Sequence, residues 1–212
     1  MVQFTKRQKL WLILGIVSFV SFIIFTLLVA FVDVDQVGLS KINHFFWQHC
    51  GKHEIWERIT DYLGYVLILV LVGIIAWQIW QWIQRKSLRR IDRNLLLFDF
   101  VCVALVVVYF FFEIVVVNYR PLLDHGEAKA SYPSSHVMLF ATILPLLIWQ
   151  IWHYFKNKPL CIVLTVVISV ILIIGVVGRL FSGVHWFTDI LGGVIFSVCL
   201  IFFYMFLSKR KV

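Results

Sequence analysis

Charge is what this chain has least of. Asp, Glu, Lys and Arg make up 14% of its 212 residues, against about 25% in an ordinary soluble domain. Hydrophobic residues fill 62% of it. One water-soluble core cannot enclose that much apolar surface, so a soluble globular domain is excluded and lipid must solvate the excess. Proline is sparse, with four residues, and no Pro/Ser-rich stretch marks a linker, so residues 1–212 read as one domain. The four cysteines are scattered. Cys102, Cys161 and Cys199 lie in apolar runs, where a thiol behaves as a small hydrophobe. Cys50 has no evident partner, so no disulfide framework is expected. There is no internal repeat and no apolar run broken at mid-membrane, which leaves a transporter without support.

What is present is a set of six apolar runs, each long enough to approach the roughly 20 residues a bilayer requires. They lie near 10–32, 62–83, 95–117, 137–155, 160–177 and 190–207, and the fifth can continue as helix through Arg179. The first is too long for the core of a secretory signal, and Val32-Asp33-Val34 offers no small-residue cleavage site, so it is expected to be retained. The expectation is an all-α integral membrane protein with six transmembrane helices. Gly192 and Gly193 allow close helix approach in the sixth.

Basic residues set the orientation. Lys6, Arg7, Lys9, Arg85, Lys86, Arg89, Arg90, Arg93, Lys156, Lys158, Lys209, Arg210 and Lys211 fall on one side of a six-span chain. Lys41, Lys52, Arg58, Arg120, Lys129 and Arg179 fall on the other. Thirteen against six makes the first side cytoplasmic, with both termini inside. The net charge of +8 is thereby accounted for by topology, and no nucleic-acid partner is expected. Residues 33–61 form the first external loop, read as one or two amphipathic helices lying in the interface. His44, His49, Cys50 and His53 sit there without a carboxylate or a Cys-x-x-Cys pair, so no metal is expected at them. Trp77, Trp80, Trp82, Trp149 and Trp152 read as interfacial belts.

Two polar islands fall on the outer side. One runs from Gly178 to Asp189. His185 and Asp189 are spaced i, i+4, so a helix beginning near Gly183 would stack them on one face. A carboxylate beside an imidazole fixes its tautomer and makes it a better base or nucleophile. Arg179 can hold an anion against that ring. The other island runs from Asn118 through Arg120-Pro121 to Pro133-Ser134-Ser135-His136. Arg120 is either a snorkelling span-end arginine or a planar fork for phosphate. Ser134 and Ser135 are good N-cap candidates for the next span. The free N–H groups and hydroxyls of that helix start can equally bind a phosphate, with His136 placed to protonate a leaving group.

These residues carry a resemblance. The chain resembles the type 2 phosphatidic acid phosphatase family of integral membrane lipid phosphatases, whose motifs are Lys-x6-Arg-Pro, Pro-Ser-Gly-His and Ser-Arg-x5-His-x3-Asp. Here they read Glu113-x6-Arg120-Pro121, Pro133-Ser134-Ser135-His136 and Gly178-Arg179-x5-His185-x3-Asp189. The resemblance implies a phosphatase that needs no metal or other cofactor and works through a phosphohistidine. His185 would attack phosphorus, Asp189 would orient and charge-stabilise it, and His136 would protonate the leaving oxygen and then activate water. Arg120, Arg179, Ser134 and Ser135 would hold the phosphoryl oxygens.

The chain departs from the motifs at three places. Glu113 replaces the family lysine, and is expected to need a proton or a partner such as Arg120 or Arg179; Lys129 can supply the missing charge. Ser135 replaces glycine, and Gly178 replaces serine. The expected substrate is a phosphomonoester or diphosphate lipid at the outer face of the plasma membrane. Undecaprenyl diphosphate comes first, because the site faces the side where that carrier is released. Phosphatidylglycerophosphate and phosphatidic acid are alternatives. The small six-span size resembles bacterial members. Partners are the substrate and membrane lipids, with no obligate protein partner. The Glu113 change leaves a second reading open, a non-catalytic binder of lipid phosphates.

Overall fold

The structure is a computed structural model and describes residues 4–86, 92–122 and 127–208. Among these the chain forms α1 (Lys6–Phe31), α2 (Ser40–Cys50), α3 (Glu54–Arg85), α4 (Arg93–Ile114), α5 (Ser135–Tyr154), α6 (Lys158–Ser182) and α7 (Phe187–Leu207). Six of them, all but α2, are long and apolar enough to cross a membrane, so the protein is all-α with six candidate spans. Arg89, Arg90, Lys209, Arg210 and Lys211, used for the orientation argument, lie outside the described residues.

Local chemistry explains several helix starts. The Thr5 hydroxyl accepts from Gln8 N at 3.2 Å, while the Gln8 side chain accepts from Thr5 N at 3.0 Å, a reciprocal cap that satisfies two otherwise unpaired donors. Asp92 caps α4 through Asn94 N at 2.9 Å. Asn157 caps α6 through Leu160 N at 3.2 Å, with Pro159 in the first turn. As expected, α6 carries on through Arg179, and it ends at Ser182.

One boundary differs. The second half of the expected external loop is not a separate interfacial helix; it is the start of α3, which begins at Glu54 rather than near 62. No proline or glycine interrupts residues 54–63, so nothing breaks the helix there. The change from polar to apolar residues marks the edge of the lipid, not the edge of the helix. With 32 residues, α3 is about 48 Å long, well beyond the roughly 30 Å hydrocarbon slab, and its first turns stand clear of it.

α5 is the centre of the bundle, packed between α6 and α7, while α1 lies along α7 and α3 along α6. Val137, Phe140, Ile143 and Leu146 of α5 are fully enclosed, a stripe at three-residue spacing. Gly192 and Gly193 let α7 approach closely. A Cβ on Gly192 would lie 2.5 Å from the Tyr132 ring, and one on Gly193 3.2 Å from the Ser134 carbonyl oxygen. Tyr132 is thereby seated among Phe22, Phe112 and Gly192, with its hydroxyl 2.8 Å from Thr26 Oγ1. This pins the segment just before α5 against α1, α4 and α7. The outer faces of α1, α3 and α4 remain apolar and exposed, as lipid-facing surfaces must be.

Candidate active site

Alternation of the spans brings the N-terminal ends of α3, α5 and α7 together with the C-terminal ends of α4 and α6. The candidate site residues of both polar islands lie at this shared end. Between α6 and α7 the chain turns through Gly183–Trp186. Gly183 caps α6 in the left-handed region, with φ 68°, where only glycine sits without strain. The helix that follows begins at Phe187, not at Gly183, so His185 stands in the loop and only Asp189 is helical. Their i, i+4 spacing still brings them near, with His185 Nδ1 3.7 Å from Asp189 Oδ2.

The group that directly orients His185 is Ser131. The imidazole Nδ1 lies 3.1 Å from the Ser131 carbonyl oxygen and 3.1 Å from its hydroxyl. A carbonyl only accepts, so this contact assigns the hydrogen to Nδ1 and leaves the lone pair on Nε2. The Ser131 hydroxyl in turn donates to Asp189 Oδ2 in a short hydrogen bond. Asp189 also accepts from Asn118 Nδ2 at 3.1 Å and from Trp186 N at 2.9 Å. Asp189 is thus fully engaged and wholly buried. Burial, the largest cause, pushes the His185 ring down to about 4, outweighing the nearby Asp189; Arg179 lowers it further. The ring is neutral at pH 7, as a nitrogen nucleophile must be.

Ser134 occupies the N-cap position of α5, yet its side chain makes no capping bond. The hydroxyl is buried and, among the described residues, without a partner. So are His185 Nε2, Arg179 Nε and Arg120 Nε. Capping therefore does not account for Ser134, and these atoms are free to contact a bound group.

Arg179 Nη1 donates to Asp61 Oδ1 at 2.8 Å and to Thr60 Oγ1 at 3.0 Å. His136 Nε2 lies 3.3 Å from the same Asp61 oxygen. The carboxylate facing Arg179 is therefore Asp61 and not Glu113, for which Arg179 is one of two expected partners, with Arg120 the other. Glu113 is exposed, interacts with Tyr109, and lines a small recess with Arg120, Ser135 and His185. Arg120 is carried on a bridge that pairs Tyr119 with Ala130, and its N–H donates to the Lys129 carbonyl at 3.0 Å. Beside these groups opens a cavity of about 580 Å³. Asp61, Arg120, Ser135, His136 and Arg179 form its polar end. Ile68, Leu71, Leu105, Val106, Leu139 and Ile143 wall the rest.

The helix α2 braces the loop from outside. Asn43 is buried, donates to Gly38 O at 2.7 Å and Thr188 Oγ1 at 2.8 Å, and accepts from Thr188 N at 3.0 Å. Trp47 Nε1 donates to the Gly183 carbonyl at 3.2 Å, and Phe46 stacks on Phe187 at 4.0 Å. The histidines of this region serve the packing: His44 meets the Trp186 ring edge-on, and His49 Nδ1 bonds to Phe45 O.

A family model, the PAP2 superfamily, matches residues 63–212. The chain belongs to that superfamily. Its fold is that of a crystal structure described as the first transmembrane PAP2-type phosphatidylglycerolphosphate phosphatase, from Bacillus subtilis. The two are 20% identical and superpose with a TM-score of 0.61 over 91% of this chain and 94% of that one. Among curated proteins no sequence matches. Within this PAP2 protein, the motif residues His136, His185, Asp189, Arg120, Arg179, Ser134 and Ser135 lie at one end of the bundle. Asp61, Ser131, Asn118 and Asn43 join them without a motif to announce them.

Proposed function

We propose that this PAP2 protein hydrolyses the phosphate ester or diphosphate of a membrane lipid through a phosphohistidine on His185. The observation that carries this is the set of buried, unpaired atoms His185 Nε2, Arg179 Nε, Arg120 Nε and Ser134 Oγ, beside a cavity with one polar end and apolar walls. Such a cavity suits a lipid with its phosphate at the donors and its chain along the walls.

In the first step the Nε2 lone pair forms an N–P bond as the bond from phosphorus to the lipid oxygen breaks. That oxygen takes a proton from the His136 imidazolium. In the second step neutral His136 takes a proton from water. The water oxygen attacks phosphorus, the N–P bond breaks, and phosphate leaves with both rings restored. Arg179, Arg120, Ser134 and the Ser135 backbone hold the phosphoryl oxygens, where positioning and charge neutralisation carry most of the rate. Asp189, acting through Ser131, holds the His185 tautomer. No step requires a metal. Lys129 adds a further cation near the phosphate, and Lys129→Ala is expected to raise KM for a lipid phosphate with kcat unchanged.

Thirteen of the 19 basic residues fall on the side away from the site, which supports a site outside the cytoplasm; we read the protein as a plasma-membrane protein of bacterial type. On that side undecaprenyl diphosphate is the substrate we favour. Phosphatidylglycerophosphate is the alternative that the name of the Bacillus subtilis structure suggests. The test is phosphate release by purified protein in detergent with EDTA, on a panel of undecaprenyl diphosphate, phosphatidylglycerophosphate and phosphatidic acid. Release that vanishes in His185→Ala supports the reading. Equal release from wild type and variant, or release that needs added metal, overturns it.

A further inference from the structure

Asp61 lies outside the three motifs and two residues before the stretch that the family model matches. Its Oδ1 faces both Arg179 Nη1, at 2.8 Å, and His136 Nε2, at 3.3 Å. We infer that Asp61 is a positioning residue that fixes Arg179 toward the phosphoryl oxygens and seats the His136 ring beside the leaving group. The inference rests on the phosphohistidine reading above.

Two glycines show that the fold is cut for this junction. Gly64, three residues on from Asp61 and so on the same face of α3, has no Cβ; one built there would lie 3.3 Å from His136 Cδ2. The imidazole therefore lies directly against α3. Gly178 stands next to Arg179, and a Cβ there would lie 2.7 Å from Thr60 Cγ2. Its absence lets α6 approach α3 closely enough for Arg179 to reach Thr60 and Asp61. A bond that takes Nη1 leaves Nε, buried and unpaired among the described residues, for the phosphoryl group. A guanidinium held at one corner loses less rotamer freedom when it binds the anion.

The same carboxylate favours the charged form of His136. The charged groups acting on that ring are Asp61 on α3, Arg179 on α6 and Arg120 on the loop after α4; Glu57 and Tyr65 of α3 and Cys102 and Tyr109 of α4 line the same cavity. Both arginines oppose a positive ring, and Asp61 is the acid in contact with it. Asp61 takes no part in the bonds that form and break. The proton that reaches the leaving oxygen is the His136 proton, and Asp61 stays ionised throughout.

The test compares pH profiles of kcat/KM for wild type, Asp61→Asn, Asp61→Glu and Gly64→Ala. The assay uses dioctanoyl phosphatidic acid in detergent with EDTA, so that ionisation of the substrate is common to all. In Asp61→Asn the basic limb, which reports loss of the His136 proton, is expected to move down by a pH unit or more, with kcat reduced about tenfold or more. Asp61→Glu is expected to restore most of the shift. Gly64→Ala, which pushes the ring off its seat without touching a charge, is expected to move the limb the same way by less. A basic limb at its wild-type position in Asp61→Asn overturns the inference. If that variant does not fold, an unmoved limb and full kcat in Gly64→Ala overturn it instead. His185→Ala separates the two claims: if it is inactive while the limb stays put, the phosphohistidine reading stands and this inference falls.

Discussion

Replacing Ser134 by alanine separates a structural serine from a functional one by the sign of its effect on stability. At an ordinary N-cap, Ser→Ala costs about 1 kcal/mol because a helix N–H loses its acceptor. Here the hydroxyl makes no capping bond and is wholly buried without a partner. An unsatisfied buried hydroxyl costs about 1–3 kcal/mol. Removing it should leave the protein unchanged or more stable, by up to about 1 kcal/mol once the small void is counted against the gain. The rate should move the other way. A hydrogen bond to a charged group contributes about 1.5–3 kcal/mol, so losing it should lower kcat/KM by about 10- to 150-fold. The assay is thermal unfolding of the purified protein in detergent beside phosphate release on the same preparation. A variant with a lowered melting temperature and full activity would show that Ser134 is a helix cap after all and would refute the reasoning.

Three further outcomes follow from the same geometry. Because the folded His185 sits near 4 and an ordinary histidine near 6.5, the unfolded chain binds the extra proton between those values. Stability should fall as pH drops from about 6.5 to about 4, and phosphate release should fall through about 4 as the nucleophile protonates. Melting curves across that range should lose this component in His185→Gln, and a slope shared by both proteins would refute the assignment. Asn43→Ala leaves the buried Thr188 N–H without its acceptor and should cost about 2–4 kcal/mol together with a drop in kcat. Unchanged melting and turnover would show that α2 is not a brace. Lys129→Ala should raise KM alone, and unchanged kinetics would remove Lys129 from the site.

The spans were legible because long apolar runs have few alternatives in a polypeptide, and the shared end of the bundle follows from their alternation. The loop before α7 was less so. Its signal was Gly183, which ends α6 as a C-terminal glycine commonly does; reading that glycine as a helix start put His185 on the wrong element. Ser131 acts on His185 partly through a backbone carbonyl, a role that no residue type encodes. Asp61 sits where a polar stretch meets an apolar run, so in sequence it looks like any charge at the edge of a span. Its partners come from α5 and α6, far along the chain, and periodicity does not say which helices will be neighbours. Asn43 was hidden in the same way, inside a segment read for its apolar face.

The loss of the motif lysine to Glu113 is compatible with anion binding because of where each charge is spent. Four carboxylates approach the site, Asp189, Asp61, Glu113 and Glu57, and the first two are already committed. Asp189 is taken up by Ser131, Asn118 and Trp186, and Asp61 by Arg179 and His136. The third, Glu113, is exposed beside Tyr109, where water and ions screen it. What remains unpaired and buried are two guanidinium N–H groups, one hydroxyl and one imidazole lone pair. The start of α5 adds its own free N–H groups, which favour an anion without any net charge. On the proposed reading a phosphate would meet donors fixed in place and one nucleophile, with Asp189 and Asp61 already engaged. On the proposed mechanism, the first-motif position would tune how tightly substrate binds, while the two histidines and their supports would decide whether it reacts.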